Sequence, residues 1–283
     1  MKGIEFNKLH GLGNDFIFID NRASQVPVSK MSNWAVKLCD RKLGVGADGL
    51  AFIENAPKNS EADFAWNFYN SDGSRAEMCG NASRCVAWLA QELGLAGPRL
   101  TFLTDAGLIR AECDYQKRFA KVALTTPKGL ALNAQIQAED RGFTTHFVDT
   151  GVPHAVIVLP PENFAKFPVE KYGRILRYHQ HFQPAGTNVN FISVKNKDEI
   201  FVRTYERGVE GETLACGTGA AASVYICLTL GLTGNTVSVT TSGGEMLTVE
   251  VDKGSAGDVV YLAGTVERVF HGILDPVFIS SQV

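Results

Sequence analysis

Residues 78–95 read MCGNASRCVAWLAQELGL, and residues 215–232 read ACGTGAAASVYICLTLGL. Each stretch opens with a Cys-Gly pair, continues as a long apolar run and ends in Leu-Gly-Leu, with the second glycine 15 residues after the cysteine. Apolar residues at helical spacing over this length predict a core helix in each stretch. The chain therefore contains two similar helices, each of which begins at a cysteine.

The segments that flank the two predicted helices repeat as well. Downstream, the strand-like stretches LTFLTDAG and VSVTTSGG end at Gly107 and Gly244, each 28 residues past its cysteine. Upstream, HGLGNDFIFID (10–20) and TGVPHAVIVL (150–159) are glycine turns that lead into strands. Three landmarks in the same register favour a duplicated supersecondary plan over a chance similarity of two core helices.

The order of elements in each half predicts the fold class. Several short strands precede one long helix and more strands follow it, which disfavours a doubly wound sheet. We predict a mixed α+β fold of two pseudo-symmetric domains, each a mostly antiparallel sheet wrapped around a central apolar helix. The predicted domains are residues 1–124 plus 268–283, and residues 125–267. The segment 125–137, which contains a proline and a glycine, is predicted to connect the two halves.

The composition is that of an ordinary globular protein and disfavours several classes of partner. A formal net charge of −3 gives no electrostatic reason to expect nucleic acid or an anionic membrane. The N-terminal residues lack the apolar core of a signal peptide. The uncharged stretch between Glu212 and Glu245 approaches the length of a membrane span, but its hydroxyl residues and glycines favour a buried helix. We expect a cytoplasmic protein that binds a small molecule.

The cysteine pattern argues against a metal site and against a disulfide framework. The six cysteines lie at positions 39, 79, 85, 113, 216 and 227 and form no CxxC pair. A zinc site or a thioredoxin-type motif is therefore not expected. Free thiols in a reducing compartment are the default for such a chain.

Two further motifs do not predict a cofactor site or a metal site. The stretch 44–49 matches GxGxxG, but a helix-like run precedes it and a strand follows it, the reverse of the order in a dinucleotide-binding fold. His179 and His181 would share one face of a strand as metal ligands, but no third ligand is indicated. A solvated loop is favoured there, and no metal is predicted.

A cysteine at a helix N-terminus has a specific chemical use. Unpaired backbone N–H groups and the positive end of the helix dipole are expected to lower the pKa of such a thiol below its usual value of about 8.5. The glycine that follows lets those N–H groups approach a carboxylate. If the two halves face each other, one thiolate can remove a proton from a carbon while the other thiol returns one to the opposite face. This arrangement inverts a stereocentre without a cofactor. Two structural cysteines are the alternative.

Five segments, in chain order, resemble the signature segments of the diaminopimelate epimerase family. They are HGLGNDF, NSDGSRAEMCGNASRC, GVPH, GTNVNF and YERGVEGETLACGTGAAA, and the resemblance covers nearly the whole chain. It implies a cofactor-independent epimerase with its active site in the cleft between two domains. Such an enzyme interconverts LL- and meso-diaminopimelate on the route to lysine and the cell wall. The resemblance also implies a homodimer, with Cys79 and Cys216 as the catalytic acid–base pair.

The resemblance assigns roles to further residues. Gly80-Asn81 and Gly217-Thr218 would hold the reacting carboxylate. The implied substrate-binding residues also include Asn14, Asn70, Asn188, Glu206 and Arg207. Glu206 and His154 would tune the thiols and the substrate ammonium. Plainer explanations exist for most of them, since Asn is common in turns, a lone histidine in a turn is usually solvated, and adjacent Glu and Arg fit a surface ion pair.

Two positions depart from the commonest pattern of the family. Val152 stands where many members have Asn in a GNPH turn, and Gly49 stands where some have Gln. Both changes remove polar contacts expected near the end of the substrate that is remote from the reacting carbon. A related racemase of another amino acid therefore stays an alternative, as does a non-catalytic domain that binds anions at its helix ends.

Overall fold

The computed structural model describes residues 3–244, 246–255 and 257–278. By Cα proximity the chain divides into two units: unit 1 is Met1–Val122 with Gly264–Val283, and unit 2 is Ala123–Ala263. The predicted domain boundaries lie two residues later at the first crossing (124 against 122) and four residues later at the second (268 against 264).

The first part of unit 1 contains groups of consecutive strands separated by helices. Its strands are β1 (Ile4–Gly11), β2 (Asn14–Asp20), β3 (Gly49–Asn55), β4 (Phe64–Asn70), β5 (Arg99–Thr104), β6 (Gly107–Asp114) and β7 (Phe119–Ala123). Its helices are α1 (Asn21–Ser24), α2 (Val28–Cys39) and α3 (Gly80–Glu92).

Unit 2 has a similar series of elements. Its first strands are β8 (Lys128–Ala138), β9 (Arg141–Asp149), β10 (Pro153–Val158), β11 (Asn188–Asn196) and β12 (Glu199–Glu206). They are followed by β13 (Gly211–Thr213), β14 (Thr236–Thr240), β15 (Met246–Gly254) and β16 (Gly257–Thr265). Its helices are α4 (Pro161–Phe164), α5 (Val169–Arg177) and α6 (Gly217–Thr229), with a 3₁₀ turn at Gln180–Phe182. The chain then returns to unit 1 with β17 (Glu267–Leu274).

The sheets of the two units have the same topology. The strand order is β17-β1-β2-β3-β4-β5-β6-β7 in unit 1 and β8-β9-β10-β11-β12-β14-β15-β16 in unit 2. In both series the pairings run antiparallel, antiparallel, parallel, antiparallel, parallel, antiparallel and antiparallel. This pattern confirms the predicted α+β class with mostly antiparallel sheets. The C-terminal strand β17 has in unit 1 the place that β8 has in unit 2.

The segment 125–137, predicted to connect the halves, begins just after the crossing between the units at 122/123, and most of it forms β8. This strand pairs with β9, with register shifts between Lys128 and Ala131 and between Ala131 and Ala134. Most of its residues are exposed, as is usual for a strand at the edge of a sheet. Exposure and irregular register remove the clean alternation by which a strand is recognised in a sequence.

The repeated Leu-Gly-Leu ends both central helices in the same way. Gly94 and Gly231 have positive φ angles of 67° and 71°, a conformation that glycine adopts without strain. In α3 the N–H of Leu95 donates to the carbonyl of Ala90, and in α6 the N–H of Leu232 donates to that of Cys227, both at 2.9 Å. These bonds from the residue after the glycine are those of a Schellman cap.

Each central helix connects two strands that pair in parallel, and most of its residues are buried. Helix α3 connects β4 to β5, and α6 connects the β12–β13 segment to β14. Residues 82–90 of α3 and 219–227 of α6 are buried, which confirms the buried helix predicted for the uncharged stretch. Among the residues that the structure describes, no helix has the length and apolarity needed to span a membrane.

Candidate active site

Each central helix begins directly after a cysteine, as the sequence predicts. Cys79 is the N-cap residue of α3 and Cys216 is that of α6, and both have extended backbone angles. The first helical residues are Gly80 and Gly217. The N–H groups of each first turn therefore lie next to the thiol, with no side chain at the first position to obstruct an anion.

In unit 1, two asparagines link Cys79 to ionised side chains. Asn14 Oδ1 lies 4.0 Å from Cys79 Sγ and accepts a hydrogen bond from Asn81 Nδ2 at 3.0 Å. Asn14 Nδ2 donates to Asp48 at 2.7 Å, and Asn81 Oδ1 accepts from the fully buried Arg84 at 2.8 Å. Because a carboxylate only accepts and a guanidinium only donates, these contacts fix the orientation of both amides. The structure thus brings Asn14, Asn81 and Cys79 together.

Asp48 and its partner Arg41 are functional candidates that the sequence did not reveal. Asp48 belongs to the 44–49 stretch, which lies between α2 and β3 and so has the inverted order that argued against a dinucleotide site. Arg41 donates to the Asp48 carboxylate at 2.8 Å and to Asp15 at 2.7 Å. The stretch therefore holds the acceptor that orients Asn14. Only its acidic residue could have signalled this role.

Asn70 lies in an exposed turn at the end of β4. Its Nδ2 donates to Oγ of Ser74 at 3.0 Å, and its backbone N–H donates to the carbonyl of Ser74 at 2.9 Å. Gly73 closes the turn with a positive φ of 84°. These contacts match the structural explanation for Asn in a glycine turn, and the substrate role of Asn70 stays a prediction.

In unit 2, burial controls the protonation of Cys216. Burial, with a smaller contribution from the charge of Glu206, raises the pKa of the Cys216 thiol to about 12. The Thr218 hydroxyl, with its Oγ1 3.6 Å from Sγ, and the backbone N–H groups of Thr218 and Gly219 act in the opposite direction. The predicted lowering of the pKa by the helix end is therefore wrong for Cys216, because desolvation of the thiolate outweighs the donors of the first turn.

His154 lies in the core of unit 2, so the solvated-turn explanation is wrong for it. Its side chain is fully buried, and burial together with the charge of Arg207 lowers its pKa to about 3. Its Nε2 lies 3.0 Å from Oγ1 of Thr218, and its Nδ1 lies 3.1 Å from Nδ2 of Asn190. The structure therefore brings His154 to Cys216 through Thr218. Asn190 is a residue that the sequence did not single out.

Asn188, Glu206 and Arg207 meet where β11 begins and β12 ends. Asn188 Oδ1 accepts from the backbone N–H of Arg207 at 2.8 Å, and its Nδ2 donates to the carbonyl of Pro153 at 3.0 Å. The Arg207 guanidinium donates to the carbonyl of Ala185 at 3.1 Å, and burial raises the pKa of Glu206. Asn188 thus fixes the backbone that carries Arg207 and Glu206.

The two unusual positions have different surroundings. At Gly49, an added Cβ would lie 2.9 Å from the Phe68 ring and from the carbonyl of Tyr69, so a glutamine there would require β4 to shift. Val152 is partly buried in the turn before β10, and its carbonyl accepts from the N–H of Thr150 at 3.2 Å. Position 152 is therefore the more accessible of the two for a test by substitution.

The other sequence candidates lie in purely structural settings. His179 caps the 3₁₀ turn and accepts from the N–H of His181 at 3.2 Å. No group of three His, Cys, Asp or Glu side chains suited to a metal ion occurs within residues 3–244, 246–255 and 257–278. The four remaining cysteines, at positions 39, 85, 113 and 227, are buried free thiols whose pKa values are raised by burial.

Known proteins resemble this chain over nearly its whole length. The diaminopimelate epimerase family model matches residues 6–128 and 146–269. Named diaminopimelate epimerases from Hydrogenobaculum sp. and Aquifex aeolicus are each 45% identical to it, over 94% and 96% of this chain and 97% and 98% of their own lengths. The one from Archaeoglobus fulgidus is 40% identical over 96% of both chains.

Solved structures with low sequence identity share the fold. A PhzF-family phenazine biosynthesis protein from Bacillus anthracis superposes with a TM-score of 0.73 at 16% identity, covering 97% of this chain and 100% of that protein. A hydroxyproline epimerase from Agrobacterium vitis gives a TM-score of 0.68 at 17% identity, covering 98% and 95%. By the family model and its named relatives, the chain belongs to the diaminopimelate epimerase family.

Proposed function

We propose that this protein is a cofactor-independent diaminopimelate epimerase, an isomerase that interconverts LL- and meso-diaminopimelate for lysine and peptidoglycan biosynthesis. The observation that carries the proposal is the repeated helix start, in which Cys79 and Cys216 each cap a buried helix and precede a glycine. It occurs in a chain that is 45% identical to named diaminopimelate epimerases.

In the proposed reaction, the two thiols act on opposite faces of the substrate α-carbon. A thiolate on one face takes the α-proton, and the electron pair left on carbon is delocalised into the carboxylate. Backbone N–H groups at Gly80-Asn81 and Gly217-Thr218 stabilise that carboxylate. The thiol on the other face gives its proton to carbon and becomes the thiolate, so no cofactor is consumed.

The surroundings of Cys216 support its role as a proton donor. Burial keeps this thiol protonated at neutral pH, while the Thr218 hydroxyl is placed to stabilise the thiolate that remains after transfer. His154 and Glu206 tune the thiols in this scheme. The polar side chains that would hold the rest of the substrate are those of Asn14, Asn70, Asn188, Glu206 and Arg207. Among them, Arg207 supplies the planar fork that suits a second carboxylate.

The proposal includes a homodimer in the cytoplasm. Two catalytic thiols must stay reduced, which suits a reducing compartment. Sedimentation at assay concentration should show a dimer. A fully active monomer would remove the dimer from the proposal and leave the chemistry intact.

The direct test follows the α-hydrogens of candidate substrates. Reduced enzyme is incubated in D₂O with LL-diaminopimelate and, separately, with a panel of other L-amino acids, and proton NMR records the loss of each α-hydrogen signal. We expect exchange and LL-to-meso conversion for diaminopimelate alone. Rapid exchange of another amino acid, with diaminopimelate inert, would identify the protein as a racemase of that amino acid.

A further inference from the structure

Asn190 is a fully buried amide in β11, and its partners fix the orientation of its side chain. Its Nδ2 donates to the carbonyl of Ala155 at 3.0 Å, and its Oδ1 accepts from Oγ1 of Thr204 at 2.9 Å. A carbonyl oxygen only accepts hydrogen bonds, so the NH₂ group must face Ala155. The same NH₂ group lies 3.1 Å from Nδ1 of His154 and donates to it.

This orientation sets the tautomer of His154. Since Nδ1 accepts a hydrogen bond, it carries the lone pair, and the proton of the neutral imidazole is on Nε2. Burial and the charge of Arg207 lower the pKa of His154 to about 3, so the ring is neutral at physiological pH. Its Nε2–H group therefore donates to Oγ1 of Thr218 at 3.0 Å.

The Thr218 hydroxyl continues this series of hydrogen bonds towards Cys216. Because its oxygen accepts from His154, its own proton is available for the Cys216 sulfur, which lies 3.6 Å from Oγ1. A hydroxyl that donates to sulfur stabilises the thiolate more than the thiol. Gly219 allows the close packing of this chain, since an added Cβ there would overlap Oδ1 of Asn190.

We propose that Asn190 is a positioning residue for the Cys216 thiol. Its hydrogen bond to the His154 imidazole fixes the tautomer of that ring, and the ring in turn makes the Thr218 hydroxyl a fixed donor to the Cys216 sulfur. The inference rests on the proposed function, since only a thiol that gains and loses a proton in each turnover benefits from a fixed donor. Asn190 acts through His154 and Thr218 and needs no contact with the substrate.

The test measures the alkylation of Cys216 by iodoacetamide, which needs no epimerase activity. Peptide mass spectrometry follows Cys216 and Cys79 in the same sample, at several pH values. Thr218→Val removes the hydroxyl at constant shape, and Thr218→Ser keeps it. Asn190→Leu removes the NH₂ donor at similar volume, and Ser193→Ala alters another buried polar residue of the same strand as a control.

Loss of the donor should slow the alkylation of Cys216 by about threefold. A rise of about one unit in the pKa lowers the thiolate fraction about tenfold, and the more basic thiolate regains about threefold in nucleophilicity. Thr218→Val and Asn190→Leu should both show this slowing, with Cys79 unchanged. Thr218→Ser and Ser193→Ala should react at the parental rate.

The double variant separates this chain of hydrogen bonds from two independent effects. Asn190→Leu combined with Thr218→Val should be no slower than Thr218→Val alone, because Asn190 acts only through that hydroxyl. Additive slowing, equal slowing at Cys79, or no slowing in Asn190→Leu would each overturn the proposal. An inactive parent protein with the expected rates would refute the proposed function alone.

A measurement on the parent protein covers the case in which Asn190→Leu does not fold. Nitrogen-15 NMR of histidine-labelled protein, assigned with His154→Gln, should show His154 with a protonated Nε2 and an unprotonated Nδ1. A protonated Nδ1 in the parent would overturn the proposal without any change at Asn190.

Discussion

The start of α3 in unit 1 and the start of α6 in unit 2 share a backbone arrangement but differ in the groups beside the sulfur. Beside Cys79 lies the amide oxygen of Asn14, which accepts a hydrogen bond only from the protonated thiol. Beside Cys216 lies the hydroxyl of Thr218, which donates to sulfur in the series of hydrogen bonds that begins at Asn190. The side chain named beside the sulfur is thus an acceptor in unit 1 and a donor in unit 2.

The charges near the two helix starts also differ, because a cation belongs to the network of Cys79 and an anion acts on Cys216. The network of Cys79 includes the buried cation Arg84, for which Gly11 and Gly264 leave room. The anion Glu206 raises the pKa of Cys216. The two helix starts therefore differ both in the side chain beside the sulfur and in the sign of the nearby charge.

The largest expected effect comes from removing either thiol. Cys79→Ala and Cys216→Ala should each fold and lose LL-to-meso conversion by roughly 10²- to 10⁴-fold, the range for loss of a general acid or base. Exchange without inversion needs only one face, so each variant should retain slow deuterium uptake into one isomer, and the two variants into opposite isomers. Proton NMR in D₂O measures both quantities. Near-parental conversion by either variant would rule out the two-thiol mechanism.

The second effect tests the buried neutral histidine of unit 2. The pKa of His154 is lowered to about 3 in the folded protein, below its ordinary value in the unfolded chain. Its contribution to stability is therefore present above about pH 6.5 and is lost as the pH falls towards 3, by up to about 1.4 kcal/mol per pH unit. Urea unfolding of the parent and of His154→Gln should show free energies that converge by about 2 kcal/mol between roughly pH 6.5 and pH 5.

The exposed His271 of unit 1 provides the matched control for that experiment. His271→Gln removes an imidazole that the fold does not bury, and the convergence expected for His154→Gln should be absent from this variant. If His154→Gln kept the parental slope, His154 would have to be protonated or solvated in the folded protein.

The features that the sequence predicted are those with local signals. Cys79 and Cys216 at helix starts, and Gly94 and Gly231 at helix ends, are set by backbone hydrogen bonds within a few residues. The contacts that orient the site are not local. The Asn14–Asp48 bond spans 34 residues and the His154–Asn190 bond spans 36. No spacing rule connects such pairs, because the sheet brings them together only after folding.

The protonation state of Cys216 could not be predicted from the sequence either. A helix start predicts a lowered pKa for a cysteine, but the pKa of Cys216 is raised to about 12 because the fold buries the thiol beside Glu206. Burial depends on packing around the site, which a sequence motif does not specify. Helix position and burial act on the same thiol with opposite sign, and only the structure shows which is larger.

The third effect tests the hydrogen bonds that orient Asn14 beside Cys79 in unit 1. Asp48→Ala removes the acceptor that fixes Asn14, so the amide can rotate and present its NH₂ group to Cys79. Because Asp48 is partly exposed, we expect a loss of about tenfold in kcat/KM, equal to about 1.4 kcal/mol. Alkylation of Cys79 should change, while that of Cys216 should not.

Asp20 is the control for Asp48, since its carboxylate forms a similar pair with Arg22 at 2.7 Å, at the end of β2 opposite to Asn14. Asp20→Ala should keep parental kcat/KM. An equal loss in both variants would mean that Asp48 supports the fold of unit 1 and has no specific effect on Asn14.

The smallest effect concerns position 152, where the chain departs from its family. The Val152 turn leads into β10, next to the Pro153 carbonyl that Asn188 binds, and Asn188 in turn holds the backbone of Arg207. An added amide at this position would supply a polar contact for the remote end of diaminopimelate. Val152→Asn should therefore lower KM by a few-fold with kcat nearly unchanged, since uniform binding affects KM alone. Val152→Thr, which keeps the branched shape, is the control for packing. A fall in kcat with unchanged KM would place Val152 near the reacting carbon, and the comparison of the two helix starts would then have to include this turn.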